Sequence, residues 1–459
     1  MRTGWRTARW RAALAGAAAV LAGLTAAGGP AAAEPATAAT YGEPATTATY
    51  AEPATAVRYP AWASATGYDG LAFDACAAPP LAAMRAWRRS PYQAIGVYVG
   101  GQNRTCAQPA LTRRWVAAVS VLGWRLIPIF KGRQPPCGGR PADLKIFPAV
   151  AAAEGTWAAD NAWAQVMALG MIRGSAIYYD MEAYPTGDAP CRNAVLGFLS
   201  AWTSELHRLG YLSGVYENLN LGARDLAGAY SSAGHARPDA LWIARYDGKR
   251  ALAGWAGIAD RQWAVHQRAK QFRADFSETH GGVTLNIDAD NLDAPVATTA
   301  FGYRVTAGRP AAARSEPGWS YPAVKAHPAG AGVTVVCQAP GSGAGPATVW
   351  DKLTDGSYIA DARVDTPSGT GYSAPVTRCR YPYQVTAGQG ANQRGGPRVS
   401  APLTGQLPGG SLAWVACHRA GTRIGGTRIW YQISPRHWVS GSYAAAPGTA
   451  GSRPPAPRC

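Results

Sequence analysis

Residues 176–184 read AIYYDMEAY, an apolar run that ends in two carboxylates, Asp180 and Glu182. Residues i and i+2 of a β-strand face the same side, so strand geometry predicts that these side chains project together, with β-carbons roughly 6–7 Å apart. Such a pair suits acid–base chemistry on a glycosidic bond, where one carboxyl stays protonated while its neighbour stays ionised. The competing interpretation is a structural ion pair at the rim of a barrel.

The surrounding sequence, from residue 67 to residue 294, alternates short apolar runs with helix-like stretches. This pattern is typical of repeated βα units around a parallel sheet. Three helix-like stretches end in Leu-Gly, at Gly123, Gly170 and Gly210, where glycine suits the left-handed residue that follows a helix. We therefore predict an α/β fold, a (β/α)8 TIM-like barrel, with strands at 71–74, 95–99, 125–130, 176–180, 212–216, 240–246, 262–267 and 283–288. A doubly wound open sheet is the alternative, which is disfavoured because no Gly-x-Gly-x-x-Gly follows the first strand.

The N-terminal region is predicted to lie outside the fold. Arginines precede an apolar stretch over residues 12–27, and small residues near Ala33 offer a cleavage site, so residues 1–33 read as a signal peptide. An uncleaved membrane anchor is the alternative, but this alanine-rich stretch is short beside the roughly 20 residues that a spanning helix needs. Residues 34–66 contain a tandem Ala/Thr/Pro-rich repeat that predicts a disordered linker. We expect a protein that is secreted, extracellular or associated with the cell wall, with no membrane span after cleavage.

The C-terminal third contains an internal duplication. Cys337 and Cys379 recur 80 residues later as Cys417 and Cys459, and the segments 302–380 and 382–459 are predicted to be two small all-β repeats. We predict one disulfide within each repeat, and each bridge is expected to stabilise its repeat by about 4 kcal/mol. The pairing of the four cysteines in the barrel region stays open. A Cys/His peptidase is disfavoured, because pairing would consume its thiol.

The charge balance bears on the partners. The formal charge of +17 falls to 17 − 4 = +13 when residues 1–33, with four arginines and no acid, are removed. A basic exported protein is attracted to anionic wall polymers. Nucleic-acid binding is disfavoured because no recognised motif accompanies the scattered arginines. No metal-binding or phosphate-binding motif occurs, so neither a metal nor a cofactor is predicted; the oligomeric state is left open.

Candidate site residues follow from the predicted barrel, because the active site of such a barrel lies at the carboxyl ends of its strands. The catalytic candidates are Glu182, Asp180 and Asp74, although Asp74 could instead cap a helix. We expect Glu182 to lie in a dry rim, where desolvation would raise its pKa and keep it protonated as a general acid. Retention, inversion and assistance by a substrate N-acetyl group all remain open. The candidates for binding substrate are Asp288, Tyr216, Asn218, Arg245, Tyr246, Gln267 and Trp242, the last of which could equally be a core residue.

Four segments carry a family resemblance: LAFDACAAP at 71–79, GVYVGG at 96–101, YYDMEAY at 178–184 and NIDAD at 286–290. With them, residues 67–294 resemble the glycoside-hydrolase-like barrel domain of unknown function found in secreted actinobacterial proteins. The same region is more distantly similar to family-25 lysozymes, which cleave the glycan strand of peptidoglycan. The C-terminal pair resembles bacterial SH3-type wall-binding repeats.

The lysozyme resemblance implies roles for individual residues. Glu182 would donate the proton, Asp180 would be an electrostatic or acetamido-orienting partner, and Asp74 and Asp288 would be supporting carboxylates. Arg245 departs from the pattern, because such enzymes line the corresponding position with neutral side chains. The expected function is hydrolysis or binding of cell-wall polysaccharide. The alternatives are a non-catalytic glycan-binding or wall-organising protein on the same barrel, and a protein that targets a host or plant glycan.

Overall fold

The computed structural model describes residues 64–306, 308–342, 348–369, 371–445 and 456–459. The predicted signal peptide and residues 34–63 of the predicted linker lie outside the described residues. Within the described ranges, no helix is both long enough and apolar enough to cross a membrane.

Eight strands close into one barrel, which confirms the predicted fold class. They are β1 (Thr66–Asp74), β2 (Ala94–Gly100), β3 (Arg125–Phe130), β4 (Ala176–Asp180), β5 (Leu212–Asn218), β6 (Ala240–Ala244), β7 (Arg268–His280) and β8 (Val283–Val296). β1 begins at Thr66, the last residue of the predicted linker, and Ser64 and Ala65 just before it are also buried. The chain therefore enters the barrel at the amino end of β1, which we call the base; the opposite end is the mouth.

Five helices pack around the barrel: α1 (Leu81–Ala86), α2 (Arg113–Val121), α3 (Ala151–Ala168), α4 (Ala189–Leu209) and α5 (Gly222–Gly228). The Thr112 side chain accepts a hydrogen bond from the Trp115 amide at the start of α2, as an N-cap residue does. The predicted glycine stops are confirmed, since Gly123, Gly170 and Gly210 have φ values of 91°, 86° and 83°. Only glycine adopts this conformation without steric cost.

The last two strands differ from the sequence prediction. β7 begins at Arg268, beyond the predicted 262–267, because Trp263, Val265 and His266 have positive φ values, and three such residues within four positions interrupt an extended strand. β8 pairs antiparallel with both β7 and β1, whereas the other barrel neighbours are parallel. β7 and β8 therefore form a hairpin, and the chain returns along β8 from the mouth to the base.

The C-terminal region folds into antiparallel sheets, in which the predicted duplication is visible. The first half contains β9 (Phe301–Arg304), β10 (Ala311–Arg314), β11 (Ala323–His327), β12 (Gly332–Pro340), β13 (Val349–Leu353) and β14 (Tyr358–Ala360). The second half contains β15 (Tyr381–Val385), β16 (Ala391–Arg394), β17 (Leu403–Leu407), β18 (Leu412–Val415), β19 (Cys417–Ile424), β20 (Thr427–Ser434), β21 (His437–Ser440) and β22 (Ala444–Ala445). Strands β9, β10 and β11 start 80 residues before β15, β16 and β17, so the two halves repeat one strand pattern.

Four disulfides link all eight cysteines. The predicted bridges Cys337–Cys379 and Cys417–Cys459 are confirmed, each with a sequence separation of 42. The pairing that the sequence left open is Cys76–Cys106 and Cys137–Cys191. Complete pairing is typical of proteins that fold in an oxidising, extracytoplasmic compartment.

The C-terminal region packs against the base of the barrel. The Ala65 amide donates a hydrogen bond to the Arg380 carbonyl at 2.7 Å, and the Arg380 amide donates to Ser64 Oγ at 3.0 Å. From the second repeat, Trp414 lies against His266, with 6.1 Å between ring centroids. These contacts leave the mouth of the barrel uncovered by the described part of the two repeats.

Candidate active site

A pocket of about 170 Å³ opens at the mouth of the barrel. Its walls come from the ends of β1, β4 and β5 and from the residue after β3, together with side chains of β2, β6, β7 and β8. The lining residues are Asp74, Tyr98, Ile129, Lys131, Asp180, Glu182, Tyr216, Trp242, Tyr246, Gln271 and Asp288. The pocket therefore brings four carboxylates together within a largely aromatic wall.

Lys131 joins the two carboxylates of the AIYYDMEAY segment. Its ammonium donates to Asp180 Oδ2 at 2.9 Å and also contacts Glu182 Oε1. Burial lowers the pKa of Lys131, but the charges of Asp180 and Glu182 outweigh this effect and raise it above its ordinary value. The lysine is therefore a cation that both carboxylates neutralise.

Asp180 and Glu182 differ in exposure. The side chain of Asp180 is only 5% exposed, whereas that of Glu182 is 40% exposed. Burial raises the pKa of Asp180 to about 6, although the Lys131 ammonium opposes the shift. The prediction that Glu182 lies in a dry rim is wrong, because its carboxylate is partly exposed to solvent and is paired with Lys131.

A second carboxylate group occupies the opposite side of the pocket. Strand register places Asp288 of β8 directly beside Asp74 of β1. Burial and the neighbouring Asp288 charge raise the pKa of Asp74 well above its usual value, and burial also raises that of Asp288. Below them, burial and the charge of Asp74 raise the pKa of Asp290 well above its usual range. The pKa values of this group are therefore all shifted upwards and no lysine or arginine pairs with it among the described residues, whereas the Asp180–Glu182 pair holds a lysine.

Gln271 connects the second carboxylate group to the aromatic wall. Its amide nitrogen donates to Asp74 Oδ2 at 2.7 Å and to Asp288 Oδ2 at 3.3 Å. Its amide oxygen accepts hydrogen bonds from the hydroxyls of Tyr216 at 2.8 Å and Tyr246 at 3.1 Å. One amide thus fixes two carboxylates and two tyrosines.

The aromatic side chains differ in what they can offer a sugar. Trp242 is 1% exposed, packs edge-on against Tyr216 and donates its indole N–H to Asp290 Oδ1 at 3.1 Å. Tyr246 is 60% exposed and stands at the mouth, where its ring face is open. Trp242 is therefore a packed floor of the pocket, and Tyr246 offers a surface on which a sugar ring can stack.

The structure brings seven of the ten residues predicted from sequence into this pocket. They are Asp74, Asp180, Glu182, Tyr216, Trp242, Tyr246 and Asp288. Their catalytic and binding roles stay predictions.

Three predicted residues lie elsewhere. Asn218 accepts a hydrogen bond from the Asn220 amide and closes a turn after β5. Arg245 pairs with Asp247 at 2.8 Å outside the lining of the pocket. Gln267 precedes β7, lies at the base of the barrel, and donates its amide to the Asp239 carbonyl at 2.7 Å. Its placement in the site was wrong because β7 begins, rather than ends, at this point.

Sequence reasoning missed Tyr98, Ile129, Lys131 and Gln271. Lys131 follows directly after β3, so the rule that found Asp180 at the end of β4 could have found it as well. Gln271 was not predicted because it lies in β7, and the sequence pattern had indicated the seventh strand at residues 262–267. In the described part of the chain, no group of three or more His, Cys, Asp or Glu side chains is arranged to hold a metal ion.

Comparison with known families gives one match. Residues 85–292, a little under half of the chain, match the Rv2525c-like, glycoside hydrolase-like domain. The matched segment includes Lys131, Asp180, Glu182, Gln271 and Asp288 but begins after Asp74. No protein with a curated description matches the chain at a significant level.

Several solved structures are similar to part of this chain. An uncharacterized B. stearothermophilus protein is 18% identical with a TM-score of 0.35, over 48% of this chain and 95% of that chain. The modular autolysin LytC from Streptococcus pneumoniae is 12% identical with a TM-score of 0.33, over 49% of this chain and 46% of that chain. A muramidase from Acremonium alcalophilum is 13% identical with a TM-score of 0.30, over 48% of this chain and 92% of that chain. Identities and TM-scores this low give no basis for transferring a substrate or a site residue to this chain.

Proposed function

We propose that the protein is a secreted glycoside hydrolase that acts on cell-wall polysaccharide of the peptidoglycan type, with Glu182 as the general acid. The observation that carries this proposal is the convergence of four carboxylates, supplied by β1, by β8 and by the end of β4, on one small, aromatic-walled pocket. Buried carboxylates are costly unless they are paired or used, so such a cluster is a candidate for catalysis. The match of residues 85–292 to a glycoside hydrolase-like domain supports the same reaction class.

Asp180 suits the role of orienting a substrate group. Its Oδ2 atom accepts from Lys131, while Oδ1 is buried with no hydrogen-bond partner among the described residues. A buried acceptor without a donor is unfavourable, so a hydroxyl or an acetamido N–H of a bound sugar would stabilise it. Asp180 and Glu182 both line the pocket.

Glu182 can act as an acid only if Lys131 releases it. A cation at contact distance favours the ionised carboxylate, and an ionised carboxylate cannot donate a proton. A sugar that enters the pocket would desolvate Glu182 and displace the ammonium from it, and Lys131 could keep its contact with Asp180. In this scheme, Glu182 takes up a proton from solvent as substrate binding displaces the ammonium, and it then donates that proton to the leaving oxygen.

The same ion pair favours a second candidate function. If Lys131 stays on Glu182 when glycan binds, the pocket has no general acid at this position. The protein would then be a non-catalytic glycan-binding or wall-organising protein on the same barrel.

The two candidates are distinguished by measuring the release of reducing ends from purified peptidoglycan, together with pull-down by the insoluble wall. We expect the wild type to release reducing ends and Glu182→Gln to lose this activity while still binding the wall. Asp69→Asn, which changes an exposed acid on β1 outside the pocket, is the matched control and should stay active. A wild type that binds but releases nothing would establish the second candidate, and a wild type that does neither would refute both.

A further inference from the structure

A second cavity, of about 590 Å³, lies between the base of the barrel and the first C-terminal repeat. The barrel contributes the first residues of β1 and β3 and the turn after α2, and the repeat contributes the segment from Tyr372 to Arg380. The hydrogen bonds between Arg380 and residues 64 and 65 hold the two walls together. The cavity is therefore built by both parts of the chain.

Four arginines line this cavity, two from each wall: Arg88, Arg125, Arg378 and Arg380. Among the described residues that line it, none is an aspartate or a glutamate. None of these four guanidinium groups forms an ion pair with a carboxylate within the described ranges. The cavity therefore concentrates positive charge that the described residues do not neutralise.

The arginines are oriented by neutral contacts that leave most of their donors available. Arg88 donates to Gln93 Oε1, and Arg380 Nη1 donates to the Cys379 carbonyl at 3.2 Å. Arg378 stacks on Tyr372, with 4.2 Å from its guanidinium carbon to the ring centroid. Each guanidinium carries five N–H donors, so these contacts use only a fraction of them.

The electrostatics of the cavity favour an anion. Burial lowers the pKa of Arg125, and the neighbouring Arg88 acts in the same direction. Burial likewise lowers the pKa of Arg380, and the neighbouring Arg378 adds to this effect. Like charges that are partly desolvated at close range repel one another, and a bound anion would reverse this unfavourable interaction.

We propose that this cavity binds a phosphoryl group carried by a wall polysaccharide, that is, a phosphorylated glycan. Guanidinium forks match phosphate oxygens in a bidentate manner, and four forks exceed what the two oxygens of one carboxylate can use. The volume lies within the range of pockets that hold small ligands. A nucleic acid fits less well. Its successive phosphates are bound by an extended basic surface, whereas the four arginines here line one concave cavity.

This anion site goes beyond the proposed hydrolase, and only the choice of a wall polysaccharide as the carrier of the phosphoryl group rests on the proposed function. The cavity touches Thr66 at the start of β1, whereas Asp74 at the other end of the same strand lines the pocket at the mouth. The nine residues of β1 span roughly 26 Å at strand rise. A ligand at the base therefore contacts none of the residues assigned to catalysis.

The experiment is calorimetric titration of the full chain with N-acetylglucosamine 1-phosphate at low ionic strength. We expect saturable binding with one site, weakened at least about tenfold in Arg125→Gln and in Arg380→Gln, as for the loss of a charge-assisted hydrogen bond. Arg114→Gln, which removes the same charge from an exposed position on α2, should bind as the wild type does. Glu182→Gln should also bind normally, whether or not the hydrolase proposal holds.

Several results would overturn the proposal. Absence of binding would do so, as would equal weakening in Arg114→Gln, which would indicate a general effect of charge. Glucuronic acid binding as tightly as the sugar phosphate would show that the cavity does not select phosphoryl groups, and tighter binding of a single-stranded oligonucleotide would identify a nucleic-acid site. Arg378→Gln separates loss of binding from loss of the fold. Because the Arg378 side chain is exposed, its replacement should weaken binding without lowering the unfolding temperature.

Discussion

Replacing Lys131 by methionine tests the electrostatic arrangement of the candidate active site. The substitution keeps an unbranched side chain as far as the Cε atom and removes the ammonium that lies 2.9 Å from Asp180 Oδ2. Asp180 would then be a buried carboxylate without a cation. Because a neighbouring positive charge favours the ionised form, its removal should raise the pKa of Asp180 above the present value of about 6.

The magnitude follows from the distance and the burial. At this separation and an effective dielectric constant of about 20, the attraction between two unit charges is about 6 kcal/mol, an upper bound because the lysine itself is desolvated. Removing one partner of a buried ion pair costs about 3–5 kcal/mol. We therefore expect Lys131→Met to lower the free energy of unfolding by about 3 kcal/mol at pH 8.

The loss should depend on pH in a defined direction. The pKa of Asp180 in the folded protein lies above the ordinary value of 3.8, so the fold loses stability as pH rises from about 4 towards the folded pKa. In Lys131→Met the pKa of Asp180 is higher, so the free energy of unfolding continues to fall above pH 6. In the wild type it no longer falls in that range. At pH 5 the carboxyl is largely protonated in both proteins, and the difference between them should be smaller than at pH 8.

Urea unfolding of both proteins at pH 5, 6, 7 and 8 measures this difference directly. Lys249→Met, which removes a lysine from an exposed loop after β6, is the matched control and should show little change at any pH. A stability loss for Lys131→Met that is the same from pH 5 to pH 8, or no loss at all, would refute the assignment of a buried ion pair.

Two further predictions concern buried groups outside the pocket. Glu217 of β5 is fully buried, and burial raises its pKa well above the ordinary value of 4.5. Glu217→Gln should therefore become progressively more stable than the wild type above about pH 4.5, by up to roughly 1.4 kcal/mol per pH unit. Thermal unfolding curves that do not diverge with pH would contradict this. Removal of the Cys337–Cys379 bridge by a double substitution to serine should destabilise the first repeat by about 4 kcal/mol, since the bridge closes a loop with a sequence separation of 42. The corresponding double substitution at Cys417 and Cys459, with the same separation, should cost a similar amount by denaturant unfolding, and a much smaller cost in both would contradict the chain-entropy argument.

The sequence predicted the first six strands well because their signals are local. Each is a short run of apolar residues, and three of the helices between them end at a glycine that adopts a left-handed conformation. The seventh strand was misplaced because it buries polar side chains. Arg268 and Lys270 are 5% and 2% exposed and are satisfied by loop carbonyls and by Asp247, so the segment does not read as an apolar run.

The candidate site shows a related limit of sequence patterns. Asp288 was placed in the site because it was thought to end a parallel strand, whereas it reaches the pocket through its antiparallel register with Asp74. Lys131 also follows a strand end, but a lysine there does not by itself indicate acid–base chemistry as a carboxylate does. The ion pair that Lys131 makes depends on side-chain directions from two different strands, which spacing along the chain does not reveal.

The reversed direction of β8 determines where the polypeptide leaves the barrel. A parallel eighth strand would deliver the chain to the mouth, beside the carboxylates, and the repeats would have to start there. Because β8 runs back, Val296 exits at the same end at which Thr66 enters. Both segments that flank the barrel therefore join it at the base, and the pocket lies at the opposite end, so a bulky ligand at the pocket meets neither junction.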